Sequence, residues 1–335
     1  MWSSIATQAT SGLSSGSTSI FSPAGTPAHS VFSLSMLVLS ITAAIFLVVG
    51  GLLFYVLLRY RHRPGEKDAS QEPPQIYGSN QIELSWTVIP ILIVVMLFLA
   101  TARVILSTQN APKPAAALDV TVIGHQFWWE YRYPKLGIVT ANELHIPVSD
   151  PKHPTPTYLT MSSADTDHSF WVPRLAGKMD LIPNRVNTMW LDPEAPGLYL
   201  GQCAQYCGTQ HAKMLLRVYG DTPAAFAAWV AHQQQKAAND SDNSAAADGR
   251  KVFQHTACIS CHTVAGTVAT GTFGPDLTHF ASRDTLASGS VVNTPENVRA
   301  FVEDPAHFKP GVLMPPMHLS QHDLDAVTAY LMTLK

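Results

Sequence analysis

Two thiols, an imidazole and a thioether crowd together in "GQCAQYCGTQHAKM" (201–214): Cys203, Cys207, His211 and Met214. Soft sulfur ligands joined by imidazole select copper or zinc over magnesium or calcium. A zinc site wants a closed tetrahedron of Cys and His and has little use for Met. A blue-copper site takes one Cys, two His and a weak axial Met, so the second Cys is surplus. Two thiolates can instead bridge two copper ions, with one His ending each. Met then weakly caps one copper, and a backbone carbonyl caps the other. One electron shared over two coppers leaves the geometry nearly constant, which suits fast electron transfer. The second His has to come from elsewhere, and "SADTDHSFWVP" offers His168 at a strand end. The spacing i, i+4, i+8, i+11 would line these donors up on a helix. Gly201, Gly208 and strand-like flanks argue instead for a loop joining two strands.

A second constellation is "CISCH", with Cys258, Cys261 and His262 at the spacing of c-type haem attachment. The two Cys would form thioethers and His262 would be the proximal ligand. A zinc ribbon would need another Cys pair nearby, and a thioredoxin-like site a βαβ pattern; neither is present. "KPGVLMPPMH" offers Met314 and Met317 as the sixth ligand. A Met ligand raises a haem potential, as an electron relay requires. This stretch resembles the Met loop of small cytochromes c, which favours Met314 and leaves Met317 as a packing residue. "GPDL" (274–277) is similar to a loop of the same family in which a Pro carbonyl, here Pro275, orients the proximal His. His255, His279, His307, His318 and His322 are read as surface residues.

These sites need elements to hold them. Only 13% of the 335 residues are charged, 46% are hydrophobic, and the net charge is −3. That balance points to membrane segments and gives no footprint for nucleic acid. Apolar runs at about 32–58 and 84–106 each reach the ~20 residues that span a bilayer. A cleaved signal peptide would need a cationic start and a shorter apolar core. Arg59, Arg61, Arg63 and Lys67 lie between the runs, so the positive-inside rule puts that loop in the cytoplasm and everything after the second span outside. The residues before the first span are Ser/Thr/Gly/Ala-rich and read as loosely ordered. "TQNAPKPAAA" (108–117) is a Pro/Ala linker. Short β-type runs follow, "LDVTVIGHQFWWEYRY", "TYLTMSS", "NTMWLD", "GLYLGQC" and "MLLRVYG", which predict a small sandwich or barrel. After a short helix and polar linker, a third unit closes on "LSQHDLDAVTAYLMTLK". There Leu324, Val327 and Leu331 recur at helical spacing behind a Ser320–Asp323 capping box. The expected divisions are 1–111 (tail and transmembrane hairpin), 112–221, 222–245 (linker) and 246–335.

The copper loop with its surroundings resembles the binuclear CuA subunit, subunit II, of cytochrome c oxidases. "GHQFWWEYRYP", "HSFWVPRLAGKMDLIPNRVN", "SIFSPAGTPA" and "NQIELSWTVIP" are each similar to segments of that family. The resemblance covers roughly residues 19–220. Together with the resemblance of the C-terminal unit to small cytochromes c, it implies a membrane-anchored, multidomain chain: a two-helix transmembrane hairpin, an all-β cupredoxin-like sandwich and an all-α class I cytochrome c domain. It implies His168, Cys203, the Gln205 backbone carbonyl, Cys207, His211 and Met214 as the CuA ligands. The family usually has Glu where Gln205 stands, with its side chain on a Mg site shared with subunit I. It usually has Trp, the electron input, where Phe127 stands; here Trp128 and Trp129 follow. Fusion to a cytochrome c domain resembles the caa-type class, in which a tethered donor raises the effective concentration at the copper site.

The expected function is therefore that of a respiratory haem-copper oxidase subunit II in the bacterial cytoplasmic membrane. Electrons pass from soluble cytochrome c or a similar donor through covalent haem c to CuA, and on to subunit I for oxygen reduction coupled to proton translocation. Partners are subunit I, the other oxidase subunits and membrane lipid. The competing readings are a CuA-bearing nitric oxide reductase subunit and a membrane-anchored copper-binding protein. The resemblance also implies that Glu83, at the start of the second span, lies at a proton channel mouth; Asn80-x-x-Glu83 equally reads as a capping box.

Overall fold

The two apolar runs form long helices, α1 (Thr26–Arg59) and α2 (Asn80–Gln109). Both are long and apolar enough to cross a membrane. The computed structural model describes residues 17–61, 75, 77–109, 113–115, 117–150, 155–237 and 244–335. Arg63 and Lys67, most of the stretch before the first span, part of the 108–117 linker and the middle of the 222–245 linker lie outside these residues. Helix α1 starts ahead of the apolar run because Asp192 Oδ1 accepts from the Thr26 N–H at 2.8 Å. At α2 the Glu83 N–H donates to the Ser79 carbonyl at 2.9 Å, so Ser79 holds the cap position. The Asn80–Glu83 pair is then one residue out of register for a capping box, and Glu83 is left exposed on the first turn. The described residues divide into two units, Ser30–Asn110 and the remainder.

Within the second of these, alternation of buried and half-buried residues builds a sandwich. Strand β1 (Asp119–His125) turns Val120 and Val122 inward. The run "HQFWWEYRY" turns back after His125, and β2 (Trp128–Tyr133) pairs antiparallel with β1, His125 opposite Trp128. Then come β3 (Ile138–Ala141), β4 (Glu143–Pro147), β5 (Thr157–Ser163), β6 (His168–Trp171), β7 (Met179–Leu181), β8 (Asn187–Leu191), β9 (Gly197–Cys203) and β10 (Leu215–Asp221). The sheets run β3-β2-β1-β5-β8 and β4-β10-β9-β6-β7. Trp129, Tyr131, Tyr133, Phe170 and Leu144 fill the space between them with no exposure. The opposite side of β2 carries Glu130, buried against His125 Nε2 at 2.9 Å and hydrogen-bonded by Arg132 Nε.

Burial pushes the Glu130 carboxyl up, but His125 and Arg132 outweigh it and hold it below its ordinary 4.5. A depressed carboxyl contributes stability that is present above its unfolded pKa and lost as pH falls through the folded one. Urea unfolding of Glu130→Gln should therefore show about 1–3 kcal/mol less stability at neutral pH. The difference from the unmodified chain should shrink as pH drops below 4.5; a constant difference would refute the assignment.

Helix α3 (Pro223–Gln233), capped by Thr222, follows the sandwich. The C-terminal domain contains α4 (Ser244–His255), α5 (Cys258–Cys261), a two-stranded hairpin β11 (Thr285–Leu286) and β12 (Val291–Val292), α6 (Pro295–Glu303), α7 (Pro305–Phe308) and α8 (Gln321–Leu331). Ser320 caps α8 by accepting from the Asp323 N–H, and Leu324, Val327 and Leu331 are buried. Helices α4 and α8 cross at Gly249, where a Cβ would stand 1.9 Å from the Ala326 carbonyl. The expected surface position holds for His255, His307, His318 and His322 but not for His279. That ring is 4% exposed, because its segment packs on the chain after α3: Nε2 meets the Gln235 carbonyl at 3.1 Å.

Candidate metal centres

Residues 204–214 connect β9 to β10 as a loop with a single 3-10 turn, His211–Lys213, and not as a helix. The loop folds its donors back onto the start of β6. Cys203 Sγ lies 3.9 Å from Cys207 Sγ, 4.0 Å from His168 Nδ1 and 3.2 Å from the Gln205 carbonyl. Cys207 Sγ lies 3.8 Å from both His211 Nδ1 and Met214 Sδ. All six groups singled out in the sequence thus face one point. The donor atoms of His168, Cys203 and Cys207 lie within 4.8 Å of one another, the one such group of His, Cys, Asp or Glu among the described residues. His168, Cys203, Cys207 and Met214 are buried. Two thiols, two imidazoles through Nδ1, a thioether and a carbonyl form a soft set that fits copper.

The Cys207 thiol, with help from His168, brings Cys203 down to about 3; the thiolate so formed, with burial, holds Cys207 far above its usual range. Losing both protons calls for cationic charge between the sulfurs.

Three supporting residues carried no signal in the spacing. Asp165 accepts from His168 Nε2 at 2.8 Å and so fixes which ring nitrogen faces the sulfurs. Gly124 makes room for that ring, since a Cβ would stand 2.8 Å from His168 Cδ2. Gln126 Nε2 donates to the Cys207 carbonyl at 2.6 Å and ties the loop to the β1–β2 turn.

The three aromatics after Gln126 separate in role. Trp129 is a core residue, edge-on to His168 at 5.9 Å between centroids. Phe127 is buried against Gly208, whose added Cβ would be 3.1 Å from its ring. Trp128 stacks on His125 at 4.1 Å and lines an apolar cavity. The cavity's far wall is Cys258, Cys261, His262, Met314 and Met317. The sandwich thus supplies part of the wall of the C-terminal domain's pocket. His262 Nδ1 donates to the Pro275 carbonyl at 2.8 Å, which leaves Nε2 for a metal. Gly274 is needed there, since a Cβ would lie 2.7 Å from His262 Cε1. Burial holds His262 below its ordinary pKa, in the neutral form a ligand requires. On the same wall Arg283 is half-buried, its Nε atom buried and unpartnered among the described residues. A half-buried cation, two thiols, a free imidazole nitrogen and apolar walls fit haem and its carboxylates.

Known families match along the chain. "Cytochrome C oxidase subunit II, transmembrane domain" matches residues 14–104, "Cytochrome C oxidase subunit II, periplasmic domain" residues 138–220, and "Cytochrome c" residues 246–335. "Cytochrome c oxidase subunit 2" of Alkalihalophilus pseudofirmus is 33% identical over 318 residues, 93% of this chain and 90% of that protein. This chain belongs to the cytochrome c oxidase subunit 2 family. The protein of the same name from Bacillus subtilis is 31% identical over 336 residues, 95% of this chain and 92% of that one. Among solved structures, the periplasmic domain of subunit II of cytochrome oxidase from Bradyrhizobium japonicum is 27% identical, with a TM-score of 0.34, covering 37% of this chain and 97% of that chain. The chain is subunit II of a haem-copper oxidase with a fused cytochrome c domain. Copper goes with its subunit II domain and haem c with its cytochrome domain. It is membrane-anchored with a periplasmic domain, and its family works beside subunit I in the oxidase complex.

Proposed function

We propose that this subunit, of the caa type, lies in a bacterial cytoplasmic membrane and passes electrons from soluble cytochrome c or a similar donor through its own haem c to a binuclear CuA centre, and on to subunit I. Cys258, Cys261, Met314 and His262, the last oriented by Pro275, would hold the haem, and His168, Cys203, Cys207, His211, Met214 and the Gln205 carbonyl would hold the copper; each group would supply a one-electron carrier. Glu83, not used as a cap, is the group for proton uptake at the second span. The observation that carries this reading is the shared wall: Phe127 and Trp128 line the haem-type cavity, and the neighbouring Gln126 bonds the copper loop.

The test is an EPR spectrum of the oxidised, copper- and haem-loaded full chain. One electron shared equally by two copper nuclei is expected, and a single-copper signal would overturn the binuclear assignment. Met214→Leu should keep both coppers and shift the copper potential; loss of one copper on that change would refute a weak capping role.

A further inference from the structure

The segment that precedes the candidate axial Met lies on the copper loop. Gln210 Nε2 donates to the Pro310 carbonyl and Lys213 Nζ to the Phe308 carbonyl, the latter at 3.0 Å. Gly311 sits against Thr209, whose Cβ would be 3.3 Å from an added Cβ. Lys309 reaches across the same boundary in the opposite sense. Its Nζ donates to the Phe127 carbonyl at 2.7 Å, and the residue is 2% exposed.

We propose that Lys309 is a positioning residue that pins the haem-binding Met loop to the aromatic edge of the copper domain and so fixes the spacing of the two electron carriers. The inference rests on the reading of the two sites as electron carriers. Among the described residues the Phe127 carbonyl is the only hydrogen-bond partner of the Lys309 ammonium, and no carboxylate pairs with it. A buried ammonium with one neutral partner carries a desolvation penalty that an apolar residue of the same length would avoid. Burial accordingly pushes Lys309 down to about 7. The residue is therefore poorly explained as a stabilising element. Its location explains it better. Lys309 lines the same cavity as Met314 and Met317, and its partner Phe127 lines that cavity from the other side. The Val312 N–H donates to the Lys309 carbonyl at 2.9 Å, so the turn that leads into the Met pair is built on the pinned residue. Gln210 and Lys213 hold the backbone of the segment from the copper loop, and Lys309 holds the aromatic turn from the Met loop. The two cofactor loops are thereby clasped from both sides.

The experiment uses the full chain in its oxidase complex. In Lys309→Met, amide exchange at Val312 should rise, while Leu215 and Thr285, elsewhere on the domain boundary, keep their protection. After flash reduction of the haem, transfer to copper should slow on the order of tenfold, well inside the cost a 1 Å misplacement carries in catalysis. Haem content, copper content and the KM for soluble cytochrome c should not change, and Lys309→Arg should recover most of the rate. Unchanged exchange at Val312 together with an unchanged internal rate would overturn the proposal. Should Lys309→Met fail to fold, Lys309→Gln, a shorter donor, is read by the same two criteria. Copper or haem missing from the unmodified complex would count against the electron-carrier reading instead, and the exchange result would then decide the role of Lys309.

Discussion

Replacing Cys258 and Cys261 together by Ala should remove covalent haem, leave the copper signal intact and lower turnover with soluble cytochrome c on the order of 100-fold. The reason is access. The aromatic turn beside the copper loop packs on the fused domain: Phe127 is 6% exposed, its carbonyl is held by Lys309, and the half-buried Trp128 lines the cavity of the cytochrome domain. A protein donor is expected to reach that turn through the fused domain. A small artificial reductant should still reduce the copper in the variant, which separates blocked access from a damaged site. Amide exchange at Thr285 checks that the domain remains docked. Turnover with soluble cytochrome c at the unmodified rate, with Thr285 still protected, would sink the obligatory relay.

The second large effect is expected at Glu143 on β4. Its carboxylate is 4% exposed and accepts three hydrogen bonds from the cytochrome domain. These come from the Asp284 N–H at 3.1 Å, the Thr285 N–H at 2.9 Å and the Thr285 hydroxyl at 2.6 Å. Arg217 Nε stands 3.9 Å away. Around this point Tyr219 donates to Asp284 at 2.6 Å, Ser288 donates to Asn142 at 3.2 Å, and the Leu215 N–H donates to the Ser288 carbonyl at 3.2 Å. Glu143→Ala leaves three donors without their acceptor and Arg217 without its carboxylate in a buried boundary, a truncation that costs about 2–5 kcal/mol. Protection of Thr285 and Leu215 in the full chain should fall accordingly, and internal electron transfer should slow with it. Glu143→Gln keeps an acceptor oxygen and should cost less. Full protection of Thr285 in Glu143→Ala would show that the boundary is held elsewhere.

The features that were legible in the sequence are those with a local cause. Two apolar runs, the Cys-to-Met loop, "CISCH" and the Ser320 cap each depend on residues a few positions apart. His168 was found because the thiol pair demanded a second imidazole. What escaped depends on pairing over long separations. Glu143 with Thr285 and Phe127 with Lys309 join residues far apart in the chain, and neither pair has a spacing that could mark it. Asp165 and Gly124 matter only because a particular ring passes beside them. His279 followed the ordinary expectation for a polar side chain and is buried because the chain after α3 covers it. The Asn80–Glu83 pair failed as a cap by a single residue, a shift that Ser79 decides. The tethered-donor picture also changes. A tether raises encounter frequency, whereas the Glu143 and Lys309 contacts describe a domain that is already in place.

That boundary divides the salt sensitivity of the enzyme. Mobile ions screen charges that face water over about 8–10 Å at physiological ionic strength and act much less on buried groups. Added salt should alter how often a soluble donor meets the cytochrome domain. It should leave the step across the Glu143 and Lys309 contacts nearly untouched, so the ionic-strength dependence of turnover becomes a property of the outermost encounter alone.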